Sequence, residues 1–226
     1  MLKFPLIVDL GLQVARCITR DSECVRTAVR LLKNGEVIGL PTDTIYGIAC
    51  DAQNDVALSR LYTIKSRDCK KPIAICVGRV EDVSLWGNTR TVTNDVLNDL
   101  LPGPVTLLFD RSNRLNRNLN PDVEKVGIRV PDHPFIQIVA NELGRPLALT
   151  SANISNEPSS LAVEEFDAIW KHLGAVFDGG RLENDRLGST ILDLSVGGRF
   201  AVVREGQAAC ETYAKLTKRG LLRCSR

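Results

Sequence analysis

Polar side chains directly follow apolar stretches of this 226-residue chain, and their types and spacing could support chemistry. Thr42, Asp43, Thr44 and Tyr46 come immediately after the apolar run Val37–Leu40. Hydroxyls at the carboxyl end of a buried strand commonly face a binding crevice. A hydrogen-bonded turn would use the same residue types, so both interpretations stay open at this point.

A run of cations lies at and just beyond the end of the second predicted helix. Its members, with Asp68 as the only acid among them, are Arg60, Lys65, Arg67, Lys70 and Lys71. Cations at the carboxyl end of a helix complement its dipole, which accounts for one or two of these charges. The remainder of the run favours a polyanion such as a triphosphate or an RNA backbone.

Arg129 lies inside the apolar stretch Val126–Pro131, where an unpaired charge would be costly. A structural carboxylate could be its partner, and so could a substrate carboxylate held by a two-pronged guanidinium contact. Polar groups also flank other apolar stretches, at Ser151, Asn153, Ser189 and Arg204. Together these positions predict a crevice of hydroxyls, one amide and several cations, which suits anion binding and positioning better than covalent catalysis.

The composition argues against several classes of protein. The 29 basic and 27 acidic residues give a net charge of +2, which disfavours a nucleic-acid binder that relies on bulk charge. The seven cysteines include no CxxC and only two histidines accompany them, so no protein-bound metal is expected. The odd number of cysteines suits a reducing compartment, in which thiols stay free. No apolar stretch is long enough for a membrane helix. We therefore expect an intracellular protein.

Apolar periodicity alternates between helical and strand spacing along the chain, without a low-complexity linker. The predicted helices begin after Ser22 and Asn54 and also cover Val92–Leu101, Phe135–Leu143 and Leu161–Leu173. The predicted strands are Phe4–Val8, Val37–Leu40, Ile73–Val77, Val105–Phe109, Val126–Val130, Leu147–Thr150, Val176–Asp178, Thr190–Leu194 and Ala201–Arg204. This pattern predicts a single α/β domain with a mixed sheet.

Six short runs in this order resemble the YrdC-type threonylcarbamoyl-AMP synthases. They are Leu40–Gly47, Lys65–Arg67, Leu101–Thr106, Val126–Pro131, Ser151–Asn153 and Gly188–Thr190. The resemblance implies a twisted open sheet with a concave, electropositive face. It places a YrdC-like catalytic domain at 22–210, between an N-terminal segment at 1–21 (a first strand or a weak transit-like segment) and a C-terminal tail at 211–226.

The resemblance also implies a reaction. L-Threonine, bicarbonate and ATP, accompanied by Mg²⁺, would give threonylcarbamoyl-adenylate and pyrophosphate. The product would feed threonylcarbamoyladenosine formation at position 37 of tRNAs that read codons beginning with A, through a separate transferase complex. Weak contact with tRNA and a cytoplasmic location, with a mitochondrial pool left open, are further expectations.

Site residues follow from the resemblance position by position. The catalytic, nucleotide-binding signature is carried by Lys65, Arg67, Ser151 and Asn153, and Lys71 and Arg204 join the ATP site. The threonine-binding set is Thr42, Thr44, Tyr46, Arg129 and Ser189, with Arg129 on the carboxylate. Many relatives place a histidine near the end of the strand after the lysine. This chain has Cys76 there, so that threonine contact is not carried over.

Two alternatives are weighed against this interpretation. Hydrogenase-maturation carbamoyltransferases contain a related domain that adenylates a carbamoyl group, but they also carry CxxC zinc motifs that this sequence does not show. An RNA-binding module without catalysis is disfavoured by the near-neutral charge and by an aromatic content of 5%.

Overall fold

Eleven strands form one mixed sheet in the computed structural model, which describes residues 5–11, 18–65, 72–154 and 157–224. The strands are β1 (Leu6–Asp9), β2 (Ile38–Leu40), β3 (Gly47–Asp51), β4 (Ala74–Cys76), β5 (Val105–Asp110), β6 (Lys125–Arg129), β7 (Leu147–Ser151), β8 (Ala175–Asp178), β9 (Thr190–Asp193), β10 (Arg199–Arg204) and β11 (Leu222–Cys224). Their order across the sheet is β1-β8-β2-β3-β7-β4-β6-β5-β9-β10-β11. Its centre contains both antiparallel and parallel pairs, so the predicted α/β class with a mixed, open sheet is confirmed.

Helices cover both faces of this sheet. The α-helices of the described residues are α1 (Glu23–Lys33), α2 (Asp55–Lys65), α3 (Val83–Trp86), α4 (Asn94–Leu100), α5 (Pro134–Leu143) and α6 (Ala209–Lys218). One apolar cluster joins α1 and α5 to the sheet, and a larger one joins it to α2, α4, α6 and the 3₁₀ segment Val163–His172. Successive residues of β3 belong to different clusters, as the pleat of a strand requires: Ile48 and Cys50 lie in the larger cluster and Ala49 in the one with α1 and α5.

Most predicted elements are present, with shifted ends. The strand β3 is absent from the predictions because all five of its residues are buried, so it carries no apolar–polar alternation. The helix predicted over Leu161–Leu173 is a 3₁₀ segment interrupted at Phe166, whose backbone is not helical. The helix α5 begins at Pro134, one residue before the predicted start at Phe135, and the chain enters it through His133 with a proline at its first turn.

The C-terminal residues are not a separate tail. The expected boundary at residue 210 falls inside α6, which buries Thr212 and Leu216. Beyond it, β11 pairs in parallel with β10 and forms one edge of the sheet. Residues 211–224 therefore belong to the same body as the rest of the fold.

The pleat also decides which side chains lie on the face of the sheet that α1 and α5 partly cover. Each of six neighbouring strands contributes a residue to one cavity on that face: Gly47, Ser151, Ala74, Arg129, Thr106 and Ile191. Cys76, two residues after Ala74, lies on the same face but packs into the cluster with α1 and α5. The two helices thus cover part of this face, and the cavity lies in the part that remains.

A close backbone approach brings the end of β10 against the start of β9. Gln207 N donates to the carbonyl oxygen of Gly188 at 3.0 Å, and a Cβ on Gly206 would collide with that oxygen. Only glycine fits at position 206 without moving the backbone.

We expect Gly206→Ala to lower the free energy of unfolding by about 1–3 kcal/mol, because overpacking at a backbone contact forces the chain apart. Urea denaturation followed by circular dichroism measures this loss. Gly197→Ala is the matched control, since its nearest neighbour would be 3.9 Å away. Equal midpoints for the two variants would contradict the close approach.

Candidate active site

A cavity of about 160 Å³ opens on the central strands of the sheet. It is lined by Thr42, Ile45, Tyr46, Gly47, Pro72, Ile73, Ala74, Thr106, Arg129, Leu149, Thr150, Ser151, Gly188, Ser189, Ile191 and Arg204. Its polar groups are hydroxyls and two guanidinium groups. A site of this composition can bind an anion and hold it in place, as the sequence predicts.

Arg129, at the end of β6, is the most deeply buried cation of the cavity. Its Nη2 donates to Asp43 Oδ1 at 2.5 Å and to the hydroxyl of Thr44 at 3.3 Å. The side chains of Arg129 and Asp43 are 7% and 8% exposed. The structural carboxylate that the sequence left as one alternative is therefore present, and Arg129 also lines the cavity.

The segment Thr42–Ile45 is a tight hydrogen-bonded turn between β2 and β3. The Thr42 hydroxyl donates to the carbonyl of Ile45 at 2.8 Å and accepts from the backbone N–H groups of Thr44 and Ile45. It also lies 3.0 Å from the Thr44 hydroxyl. The two interpretations left open by the sequence are therefore compatible: the segment is a hydrogen-bonded turn, and its Thr42 also lines the cavity.

Tyr46 connects the cavity wall to the loop that follows β8. Its hydroxyl donates to the carbonyl of Gly180 at 2.7 Å and accepts from the N–H of Gly179 at 2.9 Å. Burial raises the pKa of Tyr46 above its usual range, and the neighbouring Asp178 adds to the effect. The phenol therefore stays protonated and shapes the wall, while its ring packs 5.7 Å from that of Phe166.

Ser189 and Arg204 form the opposite wall. The Ser189 and Thr106 hydroxyls lie 2.7 Å apart, and Arg204 Nη2 donates to the carbonyl of Ser189 at 2.8 Å. A Cβ on Gly188 would lie 2.9 Å from Arg204 Nη2, so a glycine gives the guanidinium room. Burial lowers the pKa of Arg204, and the positive charge of Arg129 lowers it further, which places the two guanidinium groups within each other's field.

Lys65, at the end of α2, lies behind the cavity wall. Its Nζ donates to the carbonyl of Ser151 at 2.9 Å and to the carbonyl of Asn153. The Asn153 side chain points along its own loop, donating to the carbonyls of Ile154 and Glu157. Lys65 and Asn153 therefore hold the segment after β7 in shape and are not among the residues that line the cavity.

The structure brings most of the predicted site residues together. Those that line one cavity are Thr42, Tyr46, Arg129, Ser151, Ser189 and Arg204, and Thr44 touches Arg129 from beside it. Lys65 and Asn153 lie adjacent to Ser151 but outside the lining. Arg67 and Lys71 fall outside the described residues.

Three contributors to the site were not assigned from the sequence. Asp43 stands in the predicted polar cluster, and Thr106 in a quoted motif, but neither had a role. Asn184 comes from a loop without any motif, and its Nδ2 donates to the carbonyls of Asp43 and Thr44 at 3.1 and 3.2 Å. The proximity of Asp43 to threonines was the available signal, whereas nothing near Asn184 in sequence indicates its contact.

Cys76 does not stand in for a ligand-contacting histidine. It is fully buried on β4, and desolvation raises the pKa of its thiol to about 12.

Within the described residues no three acidic, cysteine or histidine side chains cluster as metal ligands. Nor does any helix in the described part of the chain have the length and apolar character needed to cross a bilayer.

Comparison with known proteins assigns this chain to a family. Residues 30–206 match the family model Sua5_yciO_yrdC, which is described as "Telomere recombination". The threonylcarbamoyl-AMP synthase of Bos taurus is 50% identical over 206 residues, which cover 89% of this chain and 74% of that protein. The YrdC-type resemblance expected from the sequence is confirmed.

Solved structures agree in fold. P. abyssi Sua5 complexed with L-threonine has a TM-score of 0.81 at 21% identity, covering 98% of this chain and 63% of that one. E. coli YciO has a TM-score of 0.75 at 22% identity, covering 93% of this chain and 98% of its own. This chain thus spans less than two thirds of the Sua5 chain. The match over most of its length and the half-identical relative show that the chain belongs to the Sua5/YciO/YrdC family.

Proposed function

We propose that the chain is a threonylcarbamoyl-AMP synthase, which converts L-threonine, bicarbonate and ATP to threonylcarbamoyl-adenylate and pyrophosphate. The activity follows from the 50% identity to the bovine threonylcarbamoyl-AMP synthase over 89% of the chain. The observation that carries the assignment to this cavity is the buried guanidinium of Arg129, which lines it and reaches Asp43 and Thr44 through one nitrogen only.

The chemistry needs two anions to meet. The amine of threonine adds to bicarbonate with loss of water and gives a carbamate. An oxygen of that carbamate then attacks the α-phosphorus of ATP, and the bond to the β-phosphate breaks to release pyrophosphate. No side-chain nucleophile takes part, so the protein contributes positioning, positive charge and exclusion of water.

The cavity is sized for the amino acid. Its volume of about 160 Å³ is well below the ~300–1,000 Å³ of pockets that enclose drug-sized ligands. Threonine would lie inside, with its carboxylate on Arg129 and its side chain among Thr42, Tyr46 and Ser189. ATP would then lie at the mouth, beside Ser151 and Arg204, so that the α-phosphate faces the carbamate.

The nucleotide would be held by the protein's cations and by the segment after β7. Lys65 contributes by fixing the Ser151–Asn153 carbonyls, and Arg204 contributes charge from the cavity wall. Arg67 and Lys71 complete this set by the family resemblance. Mg²⁺ would enter with ATP as part of the substrate, because the polar groups lining the cavity suit phosphate oxygens rather than the ion.

The product is a reactive mixed anhydride, so it would pass to a tRNA threonylcarbamoyl-transferase complex rather than accumulate. Weak tRNA contact at the mouth is compatible with this transfer.

The cysteines of the described residues are free thiols, which supports a reducing compartment such as the cytoplasm, with a mitochondrial pool as the alternative.

The purified chain should release pyrophosphate from ATP only when threonine and bicarbonate are both present. A coupled pyrophosphatase assay measures this, with threonine omitted as the control. Turnover that does not depend on threonine would contradict the proposal, and so would a complete absence of turnover.

Lys65→Met keeps the aliphatic stem but removes the ammonium that holds two carbonyls. We expect the KM for ATP to rise about 10-fold or more, because charge-assisted hydrogen bonds contribute ~1.5–3 kcal/mol each. The KM for threonine should change much less. Lys125→Met is the matched control, since Lys125 pairs with Asp193 on the same sheet and does not line the cavity.

A purely structural role for Lys65 predicts a different result. The variant would then lose thermal stability and active fraction, with both KM values unchanged. Steady-state kinetics at several threonine and ATP concentrations, together with thermal unfolding, separates the two roles.

A further inference from the structure

We propose that Asp43 is a positioning residue for threonine binding. Its carboxylate orients the Arg129 guanidinium, and it lowers the net charge of the cavity to a single positive charge, which one substrate carboxylate neutralises. The inference rests on the proposed function and extends it to a residue outside the predicted threonine set.

Asp43 is itself held in place on two sides. Its Oδ1 accepts from Arg129 Nη2 at 2.5 Å, and its Oδ2 accepts from the backbone N–H of Asp132 at 3.0 Å. Its own backbone carbonyl accepts from Asn184 Nδ2 at 3.1 Å. A carboxylate bound through both oxygens cannot swing away with the substrate, so it acts as a fixed support.

Arg129 has one buried donor whose partner is missing from the described residues. Nη2 is used by Asp43 and Thr44, whereas Nε is buried and has no hydrogen-bond partner among the described residues. Buried N–H groups without a partner are rare and usually mark a missing ligand or water. Because the guanidinium is rigid and planar, fixing Nη2 also fixes the direction of the other donors. The substrate carboxylate is the acceptor that this cavity lacks.

The charges around the cavity lead to the same residue. Among the described residues at the cavity, Arg129 and Arg204 contribute two positive charges and Asp43 one negative charge, which leaves one positive charge. Of the other titratable groups nearby, Asp132 is exposed to solvent. His133 is partly buried beside Asp43 and Asp132, and burial favours its neutral form by lowering its pKa. One carboxylate therefore neutralises the cavity. Without Asp43 the excess would be two charges, and the cavity would attract other anions as well.

Asp43→Asn tests the role of the carboxylate, and Asp51→Asn is the matched control. Asp51 is also a buried carboxylate paired with an arginine, but that arginine, Arg145, does not line the cavity. Threonine affinity is measured by calorimetry without ATP, alongside both KM values and the thermal midpoint. We expect threonine binding to weaken about 10-fold or more in Asp43→Asn, the strength of a charge-assisted contact, with the KM for ATP nearly unchanged. Phosphate should inhibit this variant more strongly than the wild type. The control should lose thermal stability only.

A double-variant cycle with Arg129→Gln shows whether Asp43 acts through Arg129. If it does, adding Asp43→Asn to Arg129→Gln changes threonine affinity no further. Equal effects of Asp43→Asn in both backgrounds would overturn the proposal, as would an unchanged threonine affinity in Asp43→Asn alone. If Asp43→Asn does not fold, Asp43→Glu serves instead, because it keeps the charge and displaces it by one methylene. Reduced threonine affinity at unchanged ATP KM then supports the role, and unchanged affinity overturns it.

The wild-type measurements separate this proposal from the proposed function. A wild type that binds threonine but releases no pyrophosphate overturns the synthase activity and leaves the Asp43 comparison intact. A wild type that does not bind threonine overturns both.

Discussion

Burying the Arg129 guanidinium among apolar strands is possible only because a carboxylate lies against it, and much of the site follows from that requirement. Moving a charge of this kind out of water costs more free energy than most single contacts recover, unless its partner is close and well oriented. Asp43 satisfies the condition from a turn 86 residues earlier in the chain. The turn must then be rigid, and Thr42 from within and Asn184 from outside make it so. The ion pair therefore joins the β2–β3 turn to the strand β6, and the hydrogen bonds of Asn184 join the same turn to the loop before β9.

The order of the strands converts this local requirement into a cavity. The strands from β3 to β9 across the sheet place small residues, Gly47 and Ala74, beside polar ones. A Cβ on Gly47 would meet the side chain of Leu149, and one on Gly127 would meet Thr106. The sheet surface is recessed where glycine and alanine lack large side chains, and it is polar where larger side chains are present. That shape arises from residues on separate strands, so no contiguous motif encodes it.

Several parts of the fold and site were predictable from the sequence, for identifiable reasons. Apolar runs followed by hydroxyls marked Thr42 and Ser151, and a charge inside an apolar run marked Arg129, because burial and polarity change abruptly there. The strand β3 was missed because its residues are all buried, and the partner of Arg129 was left open because several carboxylates could have served. Which strands become neighbours depends on pairings between distant segments, and periodicity carries no information on these. Asn184 illustrates the limit, since its contact exists only once the sheet has assembled.

The hydroxyls that first suggested a binding crevice are largely occupied within the protein. Thr42 uses its hydroxyl inside the turn, Tyr46 uses its own on the Gly179–Gly180 backbone, and Ser189 shares a hydrogen bond with Thr106. A group already satisfied gains little by exchanging one partner for another, so these hydroxyls contribute shape and selectivity more than affinity. The Nε of Arg129 is different, because it has no hydrogen-bond partner in the described part of the chain. A substrate carboxylate placed there would gain a charge-assisted bond and satisfy a buried donor. Binding in this cavity should therefore be driven by one guanidinium whose direction the surrounding hydrogen bonds determine.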